Sequence, residues 1–422
     1  MNIRNASGRR FNNPFVALTH RNFRLYWLGM CVSLIGTWMQ NMAQPWLAYT
    51  LTKSPFLLSL VGTFQFMPVL LFSLFAGVII DKYPKKRIII FTQSVSLLIT
   101  FTLGMLVLLG RVQYWHILLL ALALGMVNTL DMPARQSFVI ELAGKEDLMN
   151  AVALNSSIFN IARVVGPALA GLVMGYFGIA WCFFINSISF AAVLLSLIFV
   201  KPRAMQSKFI SQGKILSDIK AGLKYIYRTP VLLTVILLIT IVGTFGMNFN
   251  VLVPVFAKVV LKQGEMGFGI LMSCMGMGSF AGAMLVAAMS KSGPKRFTLV
   301  VFPLFIGIFL ILTGLTNTYL ISAISLAITG FFFVYFSSMA NSTLQLNTKD
   351  ELRGRVMSVY SLVFAGSTPI GNLYAGIFTE HFGPQVGFAA CGTIIILLLV
   401  PLYLRWYLRS KDKMGESRIG II

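Results

Sequence analysis

The chain has 422 residues, 57% of them hydrophobic and only 11% charged, where a soluble domain carries about 25% charged residues. So apolar a chain cannot hide its surface in one water-soluble core, which excludes the soluble classes and leaves a polytopic membrane protein embedded in a lipid bilayer. A net charge of +22 at pH 7 would suit a nucleic-acid binder, but the cations sit in short stretches between apolar runs, so no nucleic-acid partner is expected.

The first 24 residues are polar and basic, and the apolar run that follows is too long for a signal-peptide core. We expect it to be the first membrane helix, not a cleaved leader. Apolar segments then recur at 24–50, 55–80, 88–110, 113–132, 150–175, 179–200, 231–257, 267–289, 297–316, 319–343, 355–379 and 384–408. Each reaches about 20 residues, enough for a helix to cross a hydrocarbon core of about 30 Å. Strand-type alternation is absent, and backbone groups in lipid must be satisfied internally, so helices are expected and not a barrel. The predicted fold is all-α, with twelve transmembrane helices in two bundles of six. Residues 1–200 form the first half and 230–422 the second. The basic segment 201–229 joins them, read over 214–227 either as an amphipathic surface helix or as a solvated linker.

Twenty-nine of the 34 Lys and Arg residues fall on the side that carries both termini. The other side keeps Lys53, Arg111, Lys258 and Lys262. By the positive-inside rule both termini are cytoplasmic. The four cysteines, Cys31, Cys182, Cys274 and Cys391, stand alone in apolar runs without metal-ligand spacing. No phosphate-binding GxxxxGK[ST] loop is present, which argues against ATP, and no HExxH or nucleophile elbow suggests an enzyme. No cofactor is expected.

The halves resemble one another. "GPALAGLVMGYFG" (166–178) aligns with "GNLYAGIFTEHFG" (371–383) at a constant offset of 205, matching at Gly166/Gly371, Ala170/Ala375, Gly171/Gly376, Phe177/Phe382 and Gly178/Gly383. The turn "DKYPKKR" (81–87) has a weaker echo in "SKSGPKR" (290–296). Transporters are often built from such repeats, with the substrate between them.

Three stretches carry more than topology. In "GVIIDKYPKKR", Gly77, Asp81, Lys82, Lys85, Lys86 and Arg87 crowd one turn between spans two and three. A plain cytoplasmic charge cluster would need neither Gly77, which permits close helix approach, nor Asp81, whose charge suits a helix N-terminus. In "NTLDMPARQSF", Asp131 and Arg135 are four apart and suited to pair on one helical face, although Pro133 lies between them. Lys85 or Arg87 is expected to reach Asp131. In "NIARVVGPALAG", Gly166, Pro167 and Gly171 combine small residues for tight packing with a helix-weakening proline.

Arg163, in the same stretch, is the one charge well inside a span. Its burial costs at least ~2.5–3.5 kcal/mol on insertion scales, so it must face the bundle or a wet cavity. It reads either as a cavity cation for an anionic group or as a structural partner of Asn160, Asn128 or helix-end carbonyls. Ser33, Thr37, Gln40, Asn41 and Gln44 share a face of span one, and Asn248, Tyr335 and Asn341 add polar groups in spans seven and ten. They read either as a substrate cavity or as interhelical hydrogen bonds worth about 0.6 kcal/mol each. No Asp or Glu sits mid-membrane. Asp81, Asp131, Glu380, His116 and His381 are the titratable groups near span ends.

The turn 77–87 closely resembles the signature loop G-x-x-x-D-[RK]-x-G-x-[RK]-[RK] of the major facilitator superfamily, with Pro84 where glycine is usual. The span-five stretch resembles the superfamily's antiporter motif G-x-x-x-G-P-x-x-G-G, with Ala162 and Ala170 replacing two glycines. "FRLYWLG", "DMPARQSF", "ALNSSIFNIARVVGPALAG" and "RGRVMSVYSL" are similar to the transmembrane secretion effector group, which includes enterobactin exporters. The resemblance implies a bacterial inner-membrane exporter of siderophores, drugs or related small amphiphiles, working as a monomer by alternating access, with H+ as coupling ion. It implies that Asp81 meets the start of span eleven near Gly354 and, with Asp131 and Arg135, latches the halves. It implies that spans one, four, seven and ten line the central cavity.

Overall fold

The computed structural model describes residues 15–201, 215–289, 293 and 296–419, and no strand occurs among them. The first half holds α1 (Arg21–Thr52), α2 (Pro55–Lys82), α3 (Lys85–Leu108), α4 (Tyr114–Ala143), α5 (Leu148–Phe177) and α6 (Ile179–Phe199). A linker helix α7 (Ile215–Arg228) follows, so the helical reading of the linker holds for that stretch. The second half holds α8 (Pro230–Gly246), α9 (Phe249–Val259), α10 (Glu265–Ala288), α11 (Arg296–Leu315), α12 (Tyr319–Leu346) and α13 (Asp350–Ile419). Among the described residues ten helical segments are long and apolar enough to cross a membrane. The twelve expected spans map onto these ten, with α8 and α9 taken as one, α13 divided at a bend, and polar-rich α1 added.

Local chemistry sets the ends. Ser54 caps α2, its hydroxyl accepting from the Leu57 amide at 3.1 Å, and Pro55 and Pro230 open their helices where no amide partner is needed. The turn between α2 and α3 is only Tyr83 and Pro84, both at negative φ, which is why proline fits where the family loop has glycine. Gly178 ends α5 at φ 93° and ψ 164°, and Gly383 bends α13 at φ 84° and ψ 165°. The two glycines matched by the repeat therefore adopt the same conformation, one that side chains resist.

Two boundaries differ from expectation. Span four, expected to stop at 132, continues as α4 to Ala143. Its polar residues remain helical because they are paired inside the first half, as described below. Span seven breaks between α8 and α9 at Met247 and Asn248. The Asn248 side chain there donates to the Thr244 carbonyl at 2.8 Å, satisfying an acceptor that the interrupted helix frees. Most of the echo turn 290–296 and the linker stretch 202–214 lie outside the described residues.

Candidate functional site

The halves meet chiefly along two helix pairs, α5 with α10 and α2 with α13, and small residues line both. A Cβ on Gly269 of α10 would stand 2.6 Å from the Pro167 carbonyl oxygen and 2.8 Å from the Gly171 Cα. One on Gly276 would stand 2.5 Å from the Arg163 carbonyl oxygen. On the other pair, Gly376 of α13 faces Ser59, Gly62 of α2 faces Asn372, and the Thr63 hydroxyl donates to the Pro369 carbonyl at 3.3 Å.

These contacts obey the internal repeat. Gly166 packs on Trp38 of α1, the first helix of its half, and its counterpart Gly371 packs on Thr244 of α8, the first span of the other half. Gly171 crosses to α10 of the second half, and its counterpart Gly376 crosses to α2 of the first. The span-five motif is therefore both an intrabundle contact and half of a swapped seam.

The seam closes at one end. There the Glu380 carboxylate accepts from the Ser54 hydroxyl at 2.8 Å and the Phe56 amide at 3.0 Å, joining the second half to the N-terminus of α2. The Trp46 indole donates to Glu265 at 3.0 Å, and Lys258 lies 5.3 Å from the Trp46 ring centroid. Sequence reading named Glu380 only as a titratable group and did not single out Glu265. The signal was available: both acids sit at span ends opposite the basic side, where cations are scarce.

Toward the basic end the tight packing between α2 and α13 is not continued at Gly77 or Gly354. Gly77 and Gly354 are both exposed, and a Cβ on either would meet nothing within 4 Å. The close approach expected of Gly77 is therefore absent in this conformation. Asp81 lies in the last turn of α2, and its side chain lies outside the described residues. The neighbouring cations serve the first half instead. Lys86 donates to the Val200 carbonyl at the end of α6 at 2.8 Å, favourable at a helix C-terminus. Lys85 pairs with Glu141 at 3.6 Å, not with Asp131. Lys82 lies over the Tyr83 ring. Neither Lys85 nor Arg87 bonds to Asp131, whose carboxylate accepts from Thr92 at 2.5 Å, Gln93 at 3.0 Å and Arg135 at 2.5 Å. Pro133 leaves α4 continuous, so the local Asp131–Arg135 pair forms as its spacing suggested. Arg135 also reaches Met30 of α1.

The expected cavity set divides. Gln40 is buried and accepts from Asn186 of α6 at 2.6 Å, and donates to Gln44, also buried, at 3.3 Å. Asn248 is buried against α13 beside Cys391, and Tyr335 is buried with its ring 4.6 Å from Phe302. These four pack within a half. Thr37, Asn41, Asn128, Asn160, Arg163 and Asn341 are half-buried. Thr37 bonds its own helix, and Asn341 accepts from Gln345 at 2.6 Å. Tyr360 borders a narrow crevice in the second half, with Ile239, Val242, Gly243, Phe333, Phe336, Ser337 and Phe364. Arg163 stands at the midpoint of the 30-residue α5 and donates to the Asn160 side chain at 2.7 Å.

Comparison with known proteins agrees with this architecture. Residues 12–418 match the family described as transmembrane secretion effector. The staphyloferrin A transporter of Staphylococcus aureus is 27% identical over 395 residues, covering 92% of this chain and 96% of that protein. The enterobactin exporter EntS of Shigella boydii is 23% identical over 405 residues, covering 94% and 96%. The crystal structure of the nucleoside transporter NupG superposes with a TM-score of 0.73 at 12% identity, covering 93% of this chain and 99% of that one. A whole-chain family match, an all-helical double bundle and a seam that follows the internal repeat lead to one assignment: the chain belongs to the transmembrane secretion effector family of major facilitator superfamily transporters.

Proposed function

We propose that the chain is a proton-coupled exporter of amphiphilic small molecules, of siderophore or drug class, that works as a monomer by alternating access. The observation that carries this reading is the swapped seam, joined at one end by Glu380 and Glu265 and open around Gly77 and Gly354 at the other. Two bundles held by narrow helix crossings can rock about them, opening one end as the other closes. In this reading the basic end faces the cytoplasm of a bacterial inner membrane, and the conformation open there is the one that loads substrate. The siderophore transporters among its relatives support the substrate class, and the span-five motif supports antiport. Substrate drives the cycle only through different affinities for the two states.

Counterflow and efflux in proteoliposomes test the reading, with and without an inward-acid pH gradient, using a fluorescent amphiphilic dye and a catecholate siderophore. Gradient-driven movement is the expected result. Counterflow indifferent to the gradient would mark a facilitator. Substrate-dependent stability without any flux would mark a receptor.

A further inference from the structure

Along α5 the residues Ile161, Val165, Leu169, Leu172 and Tyr176 are exposed at helical spacings of three and four, which marks the lipid-facing stripe. At 100° per residue, Arg163 projects from the opposite side of the helix, roughly 160° from the middle of that stripe. Ser156, two turns toward the basic end, projects from that side as well, and Phe159, one turn away, lies about 120° from the middle of the stripe. Residues turned away from lipid should be buried by their own bundle. Here Phe159 is 43% exposed, Ser156 is exposed, and Asn160 and Arg163 are half-buried. Surface that faces neither lipid nor a packed neighbour is the wall of the opening between the halves. The seam packs tightly beside it, a Cβ on Gly276 of α10 meeting the Arg163 carbonyl oxygen at 2.5 Å.

The chemistry of this wall is specific. The guanidinium is fixed on one side, where a terminal nitrogen donates to Asn160 at 2.7 Å. Its Nε–H is buried without a protein partner. Beside it the Phe159 ring centroid lies 6.0 Å from the guanidinium carbon, and Trp38 of α1 meets Phe159 edge-on at 5.7 Å. A cation held in place with an unpaired N–H, next to a partly open aromatic surface, matches one ligand class. We propose that Arg163, with Phe159 and Trp38, binds the anionic group of an aromatic carboxylate or comparable aromatic anion, the guanidinium taking the oxygens and the rings taking the apolar body. This names the substrate class for the exporter reading and rests on it.

The test is binding to the purified full chain, read by thermal stability and by titration, so that it does not depend on flux. The probes are 2-naphthoate and 2-naphthamide, which share a ring system and differ in charge. Wild type is expected to bind the acid about tenfold more tightly than the amide, a difference of about 1.4 kcal/mol. Arg163→Gln should lose that preference, Arg163→Lys should keep part of it, and Phe159→Ala should weaken both probes alike. Equal binding of acid and amide by wild type overturns the proposal whether or not any variant folds, and so does an undiminished preference in Arg163→Gln. An anionic lipid headgroup could occupy the same cation, so the titration is repeated with added phosphatidylglycerol. Stabilisation that depends on Arg163 with the lipid but not with naphthoate would assign the site to lipid and overturn the substrate reading. Preferential acid binding in a protein that moves nothing in proteoliposomes would instead sink the exporter reading and leave this site standing.

Discussion

Asp131 and Arg135 form a buried pair in α4, with side-chain exposures of 8% and 15%. The carboxylate is saturated by Thr92, Gln93 and Arg135. Removing it leaves a buried guanidinium without its counter-charge. Asp131→Ala should therefore cost about 3–5 kcal/mol, seen as a lower melting temperature and a poorer monodisperse yield, and Asp131→Ala/Arg135→Ala should recover part of the loss. A double variant no more stable than the single would contradict the pairing. Spacing alone exposed this pair in the sequence. The destinations of Gln40 and Asn248 were not legible in the same way. A polar side chain in a membrane helix has the same composition whether it bonds a neighbouring helix or faces a cavity, and only the positions of Asn186 and Cys391 distinguish the two.

At the scale of helices, the seam depends on glycine because the atoms opposite are backbone atoms that cannot swing aside. A methyl group on Gly269 meets Pro167 and Gly171 well inside contact distance. Gly269→Ala should disfavour the closed seam by about 1–3 kcal/mol. The measurable consequence is faster labelling of a cysteine at Ser273, which is buried and bonds the Val164 carbonyl at 2.9 Å across the same seam. Gly264→Ala, whose Cβ meets open space, is the control and should leave labelling unchanged. Unaltered labelling in Gly269→Ala would mean that the seam relaxes without parting. The repeat announced these helices in the sequence, since Gly166/Gly371 and Gly171/Gly376 stand at one offset. Their swapped partners were not announced, because the contacts join residues about 100 to 300 positions apart, beyond any local pattern.

At the scale of the whole molecule, one end is bound by Glu380 and Glu265, and at the other Gly77 and Gly354 face open space. In the proposed cycle the latch expected at the basic end would form in the alternate state. Spin labels at Lys82 and Arg353, in a cysteine-free background, should report a long separation at rest that shortens when the pH gradient and substrate are applied. Asp81→Asn should reduce the shortened population and weaken transport while leaving membrane insertion intact. Normal efflux by a well-expressed Asp81→Asn protein would remove Asp81 from the latch. The sequence by itself determined the solvent, the number of long apolar runs, the side on which the cations gather and the twofold repeat. Hydrophobic transfer and charge asymmetry act on each segment independently, so they can be read one segment at a time. Only the tertiary structure decided that Lys85 and Lys86 staple their own half, that Gln40 and Asn248 face neighbours, and that Glu265 and Glu380 bridge the halves. Each of those outcomes depends on the distance between helices remote in the chain, a quantity to which no single segment is sensitive.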